Sequence, residues 1–253
     1  MSTTVIYDGT FDGLLTAIFE IFEYKLDVSQ IVSQQAYALQ DFFAEEHTVN
    51  SNDVKSERVR KRIKSNLGTG GLSDLLRVFL SEVADRERLI YFAVAQSVKH
   101  PQQNILENYA LSEILQISKI VKSVRRETHR MNAFIRFEKL KDGSFFAKIE
   151  PDFNVLPLIS HHFKQRYLDQ KWMIYDLKRG YGILWDLQEL NSFLPENALG
   201  MHQSEQFHHE EEQYFQQMWQ RYFIKTGIES RRNPKLHIQH VPKRYWKYLT
   251  EKQ

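Results

Sequence analysis

Asp8 and Asp12 flank a glycine where the chain turns out of the apolar run Val5-Ile6-Tyr7 and into a helical pattern. Two carboxylates delivered together at a strand–helix turn could share a metal ion or divide the work of general acid and general base. The plainer reading is structural. An Asp at such a turn caps helix amides, and Asp12 in the first helical turn is favoured by the helix dipole.

Gly68-Thr69-Gly70-Gly71 invites comparison with a phosphate loop, because glycines let backbone amides approach an anion. It has no Lys-Ser/Thr ending and no strand before it, so a turn between helices is the more economical reading. His161-His162, His208-His209 and His237-Ile238-Gln239-His240 supply imidazoles, but neighbours in a strand point apart and no HExxH is present, so no metal site is expected. The chain has no cysteine, which removes disulfides, thiolate metal ligands and a cysteine nucleophile from consideration. No cofactor is implied.

The formal net charge of +2 conceals segregation. Residues 1–54 carry nine acidic side chains against Lys25, a local charge of −8, whereas residues 231–253 carry seven basic side chains against Glu251, a local charge of +6. Basic islands lie between, at Lys55–Lys64 and at Lys119–Arg130, the latter with Lys122, Arg125 and Arg126. Such islands can form an anion-binding face on a protein that is nearly neutral as a whole. In the tail, Arg231, Arg232, Lys235, Lys243, Arg244 and Lys247 interleave with Tyr245, Trp246 and Tyr248. That mixture suits phosphate contacts with a base stacked on an aromatic ring. It equally suits a docked tail whose aromatics fill a groove while the lysines stay in water.

The elements that must position these groups read as follows. A strand at Val5–Tyr7 leads into a helix from about Phe11, with Leu14, Leu15, Ile18, Phe19 and Phe22 at helical spacing. Residues 26–53 show no sustained period and read as strand or loop with a short helix around Ala36–Phe43. A basic helix ends at Gly68–Gly71, and Ser73 then caps a helix running to about Val83. Helices over 86–98 and 111–130 complete a mostly helical first half. Near Asn132 the period becomes alternating, which predicts a hairpin of Ala133–Lys139 with Ser144–Glu150. A helix over Leu156–Tyr167, a second hairpin of Trp172–Asp176 with Tyr181–Asp186, a loop at 187–203 and a helix over Gln206–Ile224 follow. The expected fold is α+β, with the helical half and its short first strand packed on an antiparallel sheet of two hairpins. It is read as one domain over 1–253, with a subdivision into 1–131 and 132–253 left open. The chain shows no secretory leader and no apolar run long enough for a bilayer, so a cytoplasmic protein without membrane contact is expected.

Three stretches carry a family likeness: YDGTFDGLLTAIFE at 7–20, ETHRMNAFIRF at 127–137 and RRNPKLHIQHVPKRYWKYL at 231–249. Together they resemble a bacterial family of DNA-metabolism and DNA-repair proteins whose chemistry is unassigned. The resemblance implies a genetic neighbour that is a radical SAM protein proposed to act in DNA repair, and relatives in which the domain is fused ahead of a uracil-DNA glycosylase domain. It brings no catalytic residues with it. It draws attention to His129, which with Glu127 and Arg130 stands where the long basic helix meets the first hairpin, although a histidine there is also electrostatically comfortable as a helix end.

Three classes of function remain open. One is a DNA-binding accessory protein, with Arg125, Arg126, Arg130, Arg231, Arg232, Lys235, Lys243, Arg244, Tyr245, Trp246 and Lys247 as its contacts and a radical SAM or glycosylase protein as its partner. Another is an enzyme acting on DNA through Asp8, Asp12 and His129. The third is a scaffold whose acidic N-terminal half binds a protein.

Overall fold

The computed structural model describes residues 2–37, 45–195, 209, 211–226 and 234–252, and it divides into two compact units, Met1–Arg125 and Arg126–Gln253. Arg231 and Arg232 lie outside the described residues, as does most of the short helix expected at Ala36–Phe43.

In the first unit, β1 (Thr3–Tyr7) is buried along its whole length, because it is the centre of a three-stranded parallel sheet of order β2-β1-β3. Successive side chains point to opposite faces and all are buried, so both faces of β1 are covered, which accounts for the run Val5-Ile6-Tyr7. Helix α1 (Phe11–Tyr24) carries the chain over to β2 (Val28–Ser33) and buries Phe11, Leu14, Leu15, Ile18 and Ile21 on one stripe. β3 (Glu45–Thr48) pairs with the other edge of β1, also in parallel. The sequence reads β1 as a strand and leaves the stretch that holds β2 as strand or loop, and it does not reveal that they share a sheet with β3.

Helix α2 (Asp53–Leu80) merges the two helices expected on either side of Gly68. Gly68 has φ 73° and ψ 174°, a backbone state that favours glycine, so the helix kinks there and resumes at once. Ser73 is therefore an interior helical residue and not a cap. Helix α3 (Arg86–Lys99) contributes Glu87, which accepts a 2.7 Å hydrogen bond from the buried Tyr7 hydroxyl. Helix α4 (Ser112–Phe134) overruns its expected end by four residues. Ala133 and Phe134 belong to it, so the strand expected from Ala133 shrinks to β4 (Glu138–Lys139). Phe134 packs on Tyr245 with ring centroids 5.9 Å apart, a tertiary contact that the local alternation could not reveal.

The second unit is built on a five-stranded sheet of order β4-β5-β6-β7-β8, with β5 at Phe145–Ile149, β6 at Trp172–Asp176, β7 at Tyr181–Trp185 and β8 at Leu190–Phe193. Both hairpins are in this one sheet, but β5 and β6 are parallel. The all-antiparallel expectation is corrected for a topological reason. Helix α5 (Leu156–Arg166) lies between the two strands and returns the chain to the end where β5 began. β8 occupies part of the stretch expected to be loop. Helix α6 (Glu212–Thr226), helix α7 (Pro234–His240) and 3-10 turns at Lys243–Tyr248 and Thr250–Lys252 complete the unit. Among the described residues, no helix is long and apolar enough to cross a membrane.

Candidate functional site

At the β1–α1 junction, Thr10 is the helix cap, its hydroxyl accepting from Gly13 N at 2.9 Å. Asp8 organises the turn itself. One of its oxygens accepts from Thr10 N at 2.9 Å and from the Thr10 hydroxyl at 2.8 Å, and the other from Ser51 Oγ at 2.6 Å. Burial works against this carboxylate, but the donors from Ser51 and Thr10 outweigh it and hold Asp8 below the ordinary aspartate range. A Cβ at Gly13 would lie 2.0 Å from Asp8 Oδ1, so a larger residue there must displace that carboxylate. Asp12 instead pairs with Arg60, whose Nη2 is 2.6 Å from Asp12 Oδ1. The two aspartates thus engage different partners. His129 is an exposed residue of α4 in the second unit. Among the described residues, no group of three or more His, Asp or Glu side chains could hold a metal ion.

The acidic opening finds counter-charges inside its own unit. Glu20 accepts from Lys55 Nζ at 2.9 Å and lies 2.7 Å from His47 Nε2, while Arg60 neutralises Asp12. Burial opposes the Glu20 charge, and the hydrogen bonds from Lys55 and His47 overcome it, so this carboxyl too titrates low. Arg58, Lys61, Arg62 and Lys64 are exposed along the same helix and make no ion pair among the described residues.

The C-terminal segment is docked. Tyr245 is 2% exposed and donates to Glu127 Oε1 at 2.5 Å. Arg244 Nη2 lies 2.8 Å from Glu127 Oε2, and its Nη1 lies 2.6 Å from Asp152. Lys247 pairs with Glu150, which also accepts from the Tyr248 hydroxyl at 2.8 Å. Trp246 donates its indole N–H to Val241 O at 3.0 Å. Tyr245 therefore anchors the tail and offers no face on which a base could stack. Arg244 and Lys247 are engaged by carboxylates, and Arg125 by Asp74 at 2.6 Å. Arg130 donates to Gln239 O at 3.2 Å. Lys235 and Lys243 are exposed.

A second set of cations without an ion pair forms a stripe on α4. Lys119, Lys122 and Arg126 are exposed, share one helical face by their spacing, and make no ion pair among the described residues.

A cleft of about 1030 Å³ opens in the second unit, and the sequence reading did not find it. Its walls come from the end of α4 and the segment after it, from β4, β5 and β6, from α5 and its following turn, from α6, and from Thr250. Phe137 is at the heart of an aromatic cluster, edge-on to Phe163 (5.6 Å), Tyr167 (5.5 Å) and Trp172 (6.2 Å). Opposite these, α6 contributes Met218 and Trp219, which are 48% and 41% exposed. Glu212, 7% exposed, accepts from Lys139 N at 2.8 Å and so satisfies the edge of β4. Arg136 grips Glu251 at 2.7 Å, and Trp219 donates to the same carboxylate at 2.9 Å. Phe163 in α5 and Tyr167 just past its end stand four apart in the sequence, and their rings stack with centroids 6.3 Å apart.

Residues 84–251 match the profile of DUF4130, a domain of unknown function. The chain belongs to this family. No curated protein and no solved structure matches it. The DUF4130 span contains the α4 stripe, the docked tail and every residue of the cleft, whereas Asp8 and Asp12 lie outside it.

Proposed function

We propose that this DUF4130 protein is a nucleic-acid-binding protein of DNA metabolism, working with a radical SAM DNA-repair protein or a uracil-DNA glycosylase partner. One observation carries the reading. Lys122 and Arg126 stand at i,i+4 with Lys119 on the same face, and no carboxylate answers them among the described residues. Like charges at that spacing cost an isolated helix about 0.2–0.5 kcal/mol per pair. A polyanion removes that cost and supplies the counter-charge, and released counterions drive the association. The family likeness of the three motifs supports the partner assignment.

The test is a salt titration of binding to single- and double-stranded oligonucleotides. Replacing Lys119, Lys122 and Arg126 by serine is expected to flatten the slope of log affinity against log salt by about two to three units if each contacts one phosphate. Wild-type protein with no salt-dependent affinity, or a triple variant that binds like wild type, overturns the reading.

A further inference from the structure

The cleft of the second unit has two features that a plain hydrophobic seam does not require. Trp172 is 1% exposed, and its indole N–H, shielded from solvent, has no hydrogen-bond partner. The side-chain oxygen of Asn132 is likewise shielded and unpartnered. Both residues line the cleft. Buried polar groups are almost always paired, so one orphan donor and one orphan acceptor at the wall of a single cavity call for an explanation.

The second feature is what surrounds them. Three of the partly exposed walls are flat rings, Phe137, Tyr167 and Trp219, beside the smaller apolar surfaces of Ala133, Ile135 and Met218. At the rim Arg166 is exposed, its guanidinium 5.6 Å from the centre of the Tyr167 ring, with no carboxylate partner among the described residues. The other rim cations are already paired, Arg136 with Glu251 and Lys139 with Glu211. An aliphatic ligand would leave both orphan atoms and Arg166 unused. A bare anion would leave the rings unused. A planar nitrogen heterocycle carrying a phosphate uses all three, and the cavity is at the upper end of the range that small ligands fill.

We propose that this cleft binds a nucleotide, with its base against the Tyr167 and Trp219 rings, its polar edge toward Asn132 and Trp172, and its phosphate at Arg166. Because both orphan atoms are covered, a small side-chain opening accompanies entry of the base. The inference rests on the nucleic-acid reading for one source of the nucleotide, an unstacked residue of a DNA strand. A free mononucleotide is the other source.

The experiment follows tryptophan fluorescence while the full chain is titrated with dAMP, dCMP, dGMP, dTMP and thymidine, and in parallel with a short single-stranded oligonucleotide. Saturable binding of at least one mononucleotide is expected. Arg166→Gln should weaken it roughly tenfold while leaving thymidine unchanged, since only the phosphate is lost as a partner. Tyr167→Ala should weaken nucleotide and nucleoside alike, by about 5- to 150-fold. Arg166 is exposed, so its variant keeps the test informative even if loss of the Tyr167 ring perturbs folding. Mononucleotide binding without oligonucleotide binding upholds the cleft for free nucleotides and sinks the DNA reading. Oligonucleotide binding that is indifferent to Arg166→Gln, with no mononucleotide bound, overturns the cleft inference and leaves the DNA reading standing. Binding of neither probe overturns both.

Discussion

The hydroxyl of Tyr245 donates to Glu127 at 2.5 Å, joining the C-terminal segment to helix α4 through a carboxylate that is 2% exposed. A buried charge is tolerable only when its oxygens are filled. Here Tyr245, Arg244 and the amide of Asp152 fill them. Burial, and then the bond to Glu127, push the Tyr245 phenol well above its ordinary range, so it stays a donor at any ordinary pH.

Tyr245→Phe keeps the ring and removes one donor from that carboxylate. It should lower the stability of the folded protein by about 1–3 kcal/mol, read as a fall in melting temperature. An unchanged melting temperature would mean that the tail is not held by this bond.

Acid should loosen the same region through Glu251. Burial disfavours its charge, but Arg136, a backbone amide and Trp219 outweigh burial and lower its pKa from 4.5. A carboxyl whose folded pKa lies below its unfolded one contributes stability that is complete above the unfolded value and is lost as pH falls through the folded one. Melting temperature should therefore decline as pH drops below about 4.5, and Glu251→Gln should show a shallower decline. Equal slopes for the two proteins would exclude this pair as the source.

At the first junction the two aspartates should differ in effect. Asp8→Ala removes an acceptor of several bonds and should cost about 1 kcal/mol after allowance for its exposure. Asp12→Ala breaks an ion pair in which Asp12 is 47% exposed, and should cost less than about 0.5 kcal/mol. Urea denaturation of the single variants ranks them. A larger loss for Asp12 would point to a role beyond the Arg60 pair.

Two glycines of helical segments should respond in opposite directions to alanine. Gly70 has nothing within 4 Å of a new Cβ, so Gly70→Ala should stabilise by about 0.4–1 kcal/mol. At Gly13 the new Cβ would meet Asp8 Oδ1 at 2.0 Å and Ser51 Oγ at 2.9 Å, so Gly13→Ala should destabilise, and Asp8→Ala in the same chain should recover part of the loss. A simple sum of the two single effects would show that the clash is relieved without Asp8.

Local chemistry explains what could be read in advance. The turn Asp8-Gly9-Thr10 after an apolar run and the hairpin across Lys178-Arg179-Gly180 both announce themselves, because each is specified by residues close in the chain. β3 is Glu-Glu-His-Thr, an edge strand held through its backbone, and its side chains say nothing of a sheet. The direction in which β6 runs beside β5 is equally silent, since a period of two residues is the same for either orientation. The cleft was hidden for a related reason. Its lining is drawn from residues 132 to 250, and the feature that singles it out, two unpartnered polar atoms among rings, exists only after those elements have met.

The parallel join of β5 to β6 also has a kinetic side. Phe145 finds Trp172 only after the chain has travelled through α5 and back, so the pairing has a high contact order and pays its loop entropy before it gains any bonds. That one crossover supplies Phe145, Phe163, Tyr167 and Trp172 to the cleft. The cavity is therefore a late product of folding, and a molecule that fills it would act as a pharmacological chaperone for the second unit, raising its melting temperature in proportion to the logarithm of its concentration.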